Sequence, residues 1–180
     1  MRIITGEARG RKLIAPKGLK TRPTSDRVKE SLFNILGSKV FDTMVLDGFA
    51  GTGNLGLEAL SRGAKFSYFI EPDREAFRCL CQNINNLGYK EKAKAIRGDI
   101  FKILPKLKVK FDLIFLDPPY GKGYEQKAIT EILRLNLLKE NGIIVVETAT
   151  KNGLCLNYEN LLLVREAIYG STVLGFYHLQ

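Results

Sequence analysis

The sequence predicts an α/β fold: a seven-stranded, mostly parallel sheet with helices on both faces, preceded by a basic β-hairpin. Three observations carry that expectation. Short β-rich runs alternate with stretches of helical periodicity, the pattern of strands joined by crossover helices. A glycine-rich turn leaves the first run and enters a helix. The Lys and Arg excess is concentrated near residue 1. With 180 residues, 45% hydrophobic and 26% charged, the composition is that of one globular domain. The expected division is a basic arm over 1–23 and an α/β core over 24–180.

Residues 2–5 and 12–15 have strand patterns, and Gly6 and Gly10 supply a turn between them. Pro16, Gly18 and Pro23 then break regular structure. Val28, Leu32, Ile35 and Leu36 fall at helical spacing, with Thr24, Ser25 or Asp26 to cap the start and Gly37 to end it. Strand patterns follow at 44–47, 66–71, 93–96, 112–117 and 143–147. Between them, Ala76, Phe77, Leu80, Ile84 and Leu87 share one helical face closed by Gly88, and a second helix is expected from about Tyr124 to Leu137. Residues 161–167 and 172–177 have strand patterns with a short turn between, which predicts an antiparallel pair completing the sheet.

No apolar run approaches the roughly 20 residues of a membrane span, and the first residues lack the apolar core of a secretory signal. A cytoplasmic protein without a membrane partner is expected. Cys79, Cys81 and Cys155 have neither disulfide-framework nor zinc spacing, so reduced thiols and no metal are expected. The formal charge is +9, and residues 1–30 hold nine Lys and Arg against three acids. Such a segment, with Arg9, Arg11, Lys12 and Arg22 as candidates, reads either as a phosphate-contacting arm or as a solvated basic surface.

The turn at 46–56 places Gly51, Gly53 and Gly56 in G-x-G-x-x-G spacing, where backbone must turn tightly and approach a ligand. Twenty residues after Gly51, Glu71 ends the next strand, where a carboxylate can accept both hydroxyls of a ribose. Together they predict an adenosine-containing ligand, without choosing between NAD and S-adenosylmethionine. Asp47 favours the latter, because its charge opposes a pyrophosphate and suits an ammonium and a sulfonium. Asp99 either accepts from the adenine amino group or caps a helix. Phe49 and Ile100, beside these positions, complete the candidate cofactor set.

Asp117, Pro118, Pro119 and Tyr120 follow an apolar strand that should end at the same sheet edge. An exocyclic amino group on a base is a poor nucleophile, since its lone pair is delocalised into the ring. The Asp117 carboxylate and the Pro118 carbonyl can each take one of its N–H groups, favouring charge development on nitrogen. The fixed φ of Pro118 and Pro119 steadies that carbonyl, and Tyr120 can stack on the base. These four residues are the candidate catalytic set, with Asp117 also facing the cofactor. A base inside a duplex cannot reach such a pocket, so the substrate must be unpaired or flipped.

With these residues in hand, the sequence resembles the bacterial 16S ribosomal RNA guanine-N2 methyltransferase family. The resemblance runs through residues 2–6, 9–13, 22–34, 46–53, 56–64, 117–120 and 169–172, and the block from Arg22 to Asn34 is its most particular part. It implies a Rossmann-like class I methyltransferase using S-adenosylmethionine, with 16S ribosomal RNA as partner, in a small-subunit assembly intermediate, and a monomeric enzyme. It also implies that the basic hairpin contacts RNA and that Thr24 to Arg27 close over the methionine end of the cofactor. Gly48 departs from the pattern, where a larger residue is expected. Rival readings are an NAD-dependent oxidoreductase, a DNA adenine-N6 methyltransferase, and an RNA-binding assembly factor without turnover. His178, the single histidine, is expected at the surface or a sheet edge rather than in catalysis.

Overall fold

The computed structural model describes residues 1–16, 25–119, 121–150, 153–155, 157–158 and 160–180. Thr24, Arg22 and Tyr120 of the candidate sets lie outside them. In chain order the elements are α1 (Asp26–Leu36), β1 (Met44–Asp47), α2 (Asn54–Ser61), β2 (Phe66–Glu71), α3 (Arg74–Leu87), β3 (Ala93–Arg97), α4 (Ile100–Ile103), β4 (Phe111–Leu116), α5 (Tyr124–Arg134), β5 (Leu138–Ala149), β6 (Asn157–Tyr158), β7 (Leu161–Tyr169) and β8 (Thr172–Leu179). They form one sheet in the order β3-β2-β1-β4-β5-β8-β7-β6. β1 to β5 are mutually parallel, and β8, β7 and β6 continue antiparallel. The seven expected strands are present; the two-residue β6 on the outer edge of β7 is an addition too short to leave a period in the sequence.

Side chains of alternating strand residues enter two cores. Val45, Phe69, Leu113, Phe115 and Val145 face α1, α2 and α3, whereas Leu46, Ile70, Ile114, Leu116 and Val146 face α4 and α5. This is the two-sided burial expected of parallel strands under crossover helices. Local signals end the helices as the sequence anticipates. Ser25 Oγ accepts from Val28 N at 3.3 Å to start α1, and Asp73 Oδ1 accepts from Glu75 N and Ala76 N to start α3. Gly88, at φ 79°, closes α3.

α5 is shorter than its periodicity suggested. Asn136 adopts φ 52°, and Leu137 N turns back to Ile132 O, so Leu137 and Leu138 leave the helix rather than extend it. β5 is correspondingly longer: Leu138 pairs with Phe111, and the ladder resumes at Ile143 with Leu113 after an irregularity. Polar residues 139–142 hid this in the sequence. Among the described residues no helix is long and apolar enough to cross a membrane. His178 lies on β8 between β5 and β7, not on a sheet edge, and it pairs with Ile143 at the amino end of that part of β5.

The amino-terminal hairpin is reduced to a single antiparallel bridge, Arg2 with Lys12, supported by Ile3 N to Arg11 O and Leu13 N to Met1 O. Docking, not pairing, holds it. Glu58 on α2 accepts Ile4 N at 2.8 Å and Thr5 N at 3.0 Å, and Ser61 Oγ accepts Ala8 N at 3.0 Å. Gly6, at φ +88°, sits so close to the Ser61 carbonyl that a Cβ would fall 1.8 Å from its oxygen. Asn83 on α3 receives Ile14 N and donates to both Ile14 O and Thr52 O, joining the arm to the glycine turn.

Beneath the arm, Lys29 of α1 and Glu58 have 0% exposed side chains and pair at 3.0 Å. Lys29 Nζ also donates to Arg2 O and Asn54 Oδ1, and Glu58 also meets Arg62 at 2.9 Å. Burial lowers the Lys29 pKa, opposed by its attraction to Glu58. A buried charge left without its partner is expensive. Lys29→Ala is therefore expected to destabilise the fold by about 3 kcal/mol, with Arg62 limiting the loss; urea unfolding measures it, and a change under 1 kcal/mol would mean that Glu58 is rehydrated.

Candidate active site

β1 and β4 are adjacent parallel strands, and the chain leaves them toward opposite ends of the parallel sheet, since β2 and β3 lie on one side and β5 on the other. α2 and α4 to α5 thereby cover opposite faces, and a crevice opens beyond the carboxyl ends of β1 and β4. The register pairs Asp47 with Phe115, which puts Asp117 two residues further along the neighbouring strand. The glycine turn and the Asp117 segment are brought to one place.

The turn is held from both sides: Gly48 N donates to Phe115 O of β4 at 3.0 Å, and Ala50 N to Ile70 O of β2 at 3.0 Å. Gly51 has φ +54° with no atom within 4 Å of where a Cβ would be, so its surface is open to a ligand. Gly53, at φ +89°, begins α2 and packs on Leu57 and Leu80. Gly56 serves differently. Its missing side chain admits the Phe69 ring, 2.3 Å from a hypothetical Cβ, and its N–H donates to Asp47 Oδ2 at 2.9 Å. Gly56 thus shapes the site through α2 packing and Asp47. At Gly48, where the resemblance leads to the expectation of a larger residue, a Cβ would lie 2.8 Å from Ile100 Cδ1 and 3.0 Å from Leu116 Cδ2. Buried Ile100 fills the space.

Glu71 Oε2 accepts Gly51 N at 2.7 Å and Oε1 accepts Asp73 N at 2.8 Å. Each oxygen retains lone-pair capacity, so the carboxylate can also accept two ribose hydroxyls. Burial raises the Glu71 pKa despite those backbone donors. Asp47 is more affected: burial pushes it up to about 7, with the Gly56 N–H opposing and Glu71 adding to the rise. Two buried carboxylates beside an open glycine backbone fit a ligand with a ribose at one end and a cation at the other. Asp99 caps α4, accepting Phe101 N at 2.9 Å, so the capping alternative is the one realised by this oxygen. Pro118 is buried, and Asp117 and Phe49 are partly buried. Arg9, Arg11 and Lys12 are exposed on the arm, with Arg11 donating to Asn86 O; Arg27 lies in the first turn of α1.

Three features escaped the sequence reading. Glu147 is buried two residues before the end of β5, and the pairing of Leu116 with Val146 sets it one strand over from Asp117; an acid closing the apolar run 143–147 was the available signal. Phe101 and Tyr124 form a cluster with Phe49 at the same sheet edge. Lys29 and Asn83, which anchor the arm, left only the signal of polar residues within helical patterns.

A family model described as "conserved hypothetical protein 95" matches residues 1–178. The ribosomal RNA small subunit methyltransferase D of Haemophilus influenzae is 41% identical over 173 residues, covering 94% of this chain and 89% of the relative. The protein of the same name from Escherichia coli K12 is 38% identical over 186 residues, covering 100% and 90%. The solved structure of the Escherichia coli yhhF protein superposes with a TM-score of 0.90 at 37% identity, over 100% of this chain and 98% of that one.

Asp47 supplies a stability test. Its folded pKa of about 7 exceeds the ordinary 3.8, so between those values the folded state binds more protons and stability falls as pH rises. Asp47→Asn is expected to stabilise the ligand-free protein at pH 8 by on the order of 4 kcal/mol, seen as a higher Tm, with the advantage shrinking as pH falls toward 4. Thermal melts across that range measure it; an advantage independent of pH would assign the effect to something other than ionisation.

Proposed function

The chain belongs to the conserved hypothetical protein 95 family, and we propose that it transfers a methyl group from S-adenosylmethionine to the exocyclic N2 amino group of a guanine in 16S ribosomal RNA. Ribosomal RNA methylation accords with the names of its relatives across nearly the full chain. One observation carries the chemistry: Asp117 follows β4, the direct neighbour of the strand that ends in Asp47 and the glycine turn.

In this reading Glu71 holds the ribose hydroxyls and Asp47 the cationic methionyl end, with Gly51 and Gly53 forming the backbone wall. Phe49, Ile100 and the segment around Asp99 flank the adenine side, and Thr24 with Arg27 close over the methionyl side. S-adenosylmethionine supplies a methyl group already activated on a sulfonium. The chain's contribution is to place and activate the nitrogen. Asp117 and the Pro118 carbonyl accept its two hydrogens, and the Asp117 carboxylate stabilises positive charge as it develops there. Pro119 steadies the turn, and Tyr120 stacks on the base. Asp47 argues against a dinucleotide, since a buried carboxylate at that turn would repel a pyrophosphate.

The arm is the proposed RNA contact. Arg9, Arg11 and Lys12 are exposed on a segment docked to α2 and α3, and Arg22 falls in the sequence between that segment and α1. Rigid docking lets phosphate contacts fix the orientation of the RNA while the crevice selects the base. The proposed substrate is a small-subunit assembly intermediate bound by a monomer.

Transfer of labelled methyl to small-subunit RNA, free and in assembly particles, followed by nuclease digestion, tests the reading. N2-methylguanosine is the expected product. N6-methyladenosine would keep the chemistry and overturn the base, and no transfer to either substrate would favour a binding factor. Asp117→Ala is expected to retain cofactor affinity and lose activity by roughly 100-fold or more; wild-type rates in that variant would remove Asp117 from the reaction. Replacing Arg9, Arg11 and Lys12 with Ala should flatten the plot of log affinity against log salt by about 2 to 3. An unchanged slope would take the arm out of the interface.

A further inference from the structure

We propose that Phe101 and Tyr124, with Lys122 and Lys127, form a second nucleotide site beside the methyl-transfer crevice, stacking a base of the single-stranded RNA that flanks the target. The proposal rests on the RNA-methylation reading and adds to it a site that none of the candidate catalytic or arm residues supplies.

Three loops bring three rings to the carboxyl edge of the sheet: Phe49 after β1, Phe101 after β3 and Tyr124 at the start of α5 after β4. Phe49 and Tyr124 are parallel within 4° with centroids 6.4 Å apart, and Phe101 meets Tyr124 edge-on at 5.8 Å. Phe49 and Phe101 rest on the core below, yet all three rings remain partly exposed. The cluster is therefore a braced platform with one side in solvent. Tyr124 comes four positions after Tyr120 in the sequence, a span of at most about 14 Å, which suits a neighbouring nucleotide.

The charges around it have the sign RNA requires. Lys127 Nζ lies 4.3 Å from the centroid of Phe101 and Lys122 Nζ 5.7 Å from that of Tyr124, and both lysines are exposed. Glu125, the acid on the same turn, instead influences Tyr158 and Tyr177. An exposed ammonium over a ring is held by about 0.5–1 kcal/mol, less than the 1–3 kcal/mol typical of a stacked base. A flanking base therefore displaces the lysines from the rings, and the released ammonium groups reach its phosphates. Gly121 and Gly123, at φ +75° and +63° with open space at each Cβ position, give the Lys122 loop room for that change.

The test measures binding of single-stranded RNA oligonucleotides carrying a guanine and its flanks, by fluorescence anisotropy, beside calorimetry with S-adenosylhomocysteine. Tyr124→Ala is expected to weaken RNA binding roughly 5- to 100-fold, Tyr124→Phe to restore it, and cofactor affinity to stay at the wild-type value in both. Lys122→Ala with Lys127→Ala, both exposed and away from the core, should reduce the salt slope by about 1.4. Unchanged RNA affinity in Tyr124→Ala would overturn the site, as would a loss confined to cofactor affinity, which would make the platform an adenine pocket. Because binding is read without turnover, wild-type protein that binds RNA through Tyr124 but transfers no methyl would fail the activity reading and leave this one standing.

Discussion

The constraint on which the molecule turns is the divergence of β1 and β4. Two parallel strands whose following segments cross to opposite faces leave uncovered space beyond their carboxyl ends, because no connection can lie over both. The positions proposed to hold the cofactor and the reacting base are drawn there by topology: Asp47 and the glycine turn from β1, Glu71 from β2, Asp99 and Ile100 after β3 and Asp117 after β4, with buried Glu147 of β5 beside them. Acids end β1 and β2 and directly follow β4, and Asp99 and Glu147 lie two residues from the carboxyl ends of β3 and β5. Apolar strand interiors fix how the sheet packs, and the terminal residues are left to chemistry.

Holding that edge steady falls to a buried polar cluster rather than to more apolar contact. Lys29, Glu58, Asn54 and Arg62 join α1, α2 and the arm, and Asn83 adds α3 and Thr52 of the glycine turn. A hydrophobic substitute of similar volume would give equal or greater stability. It would not fix where the arm's backbone lies, since Ile4 N, Thr5 N and Arg2 O find their partners only in this cluster. The arm has almost no ladder of its own, so its position relative to the crevice is set by these bonds. That coupling places a basic surface and a reaction site in fixed register, which an RNA bound at both requires.

The core strands, the glycine turn and the helix ends around Ser25, Gly37 and Gly88 were legible in sequence because each rests on local physics: periodicity, capping and left-handed backbone. The convergence of Asp47, Glu71 and Asp117 was legible because a strand-ending acid is a local pattern whose location follows from parallel topology. Long-range pairing was not. Nothing in the spacing of Lys29 and Glu58 indicates that they meet, and the arm read as a hairpin because two strand patterns flank a glycine-containing turn, which says nothing of the backbone groups that α2 and α3 satisfy by docking. Polar residues 139–142 concealed the first part of β5, whose pairing depends on Phe111 across the ladder. The aromatic platform was missed for a related reason: Phe101 and Tyr124 belong to different helices, α4 and α5, which follow different strands, and their proximity is a property of the tertiary fold.

The electrostatics of the site run opposite to those of the surface, and the two fit one task. A chain of net charge +9 attracts a polyanion at long range, yet its crevice is lined by buried carboxylates, with Asp47 raised to about 7. A phosphate would be repelled from that interior, whereas a cationic ligand would restore Asp47 to its ionised form and recover part of the desolvation cost. On the proposed reading, RNA phosphates are thereby kept on the rim, among Arg9, Arg11, Lys12 and the lysines of the aromatic platform. A neutral base can enter where its backbone cannot. A site built this way sorts an anionic polymer from a cationic cofactor by charge before any hydrogen bond to the base is made.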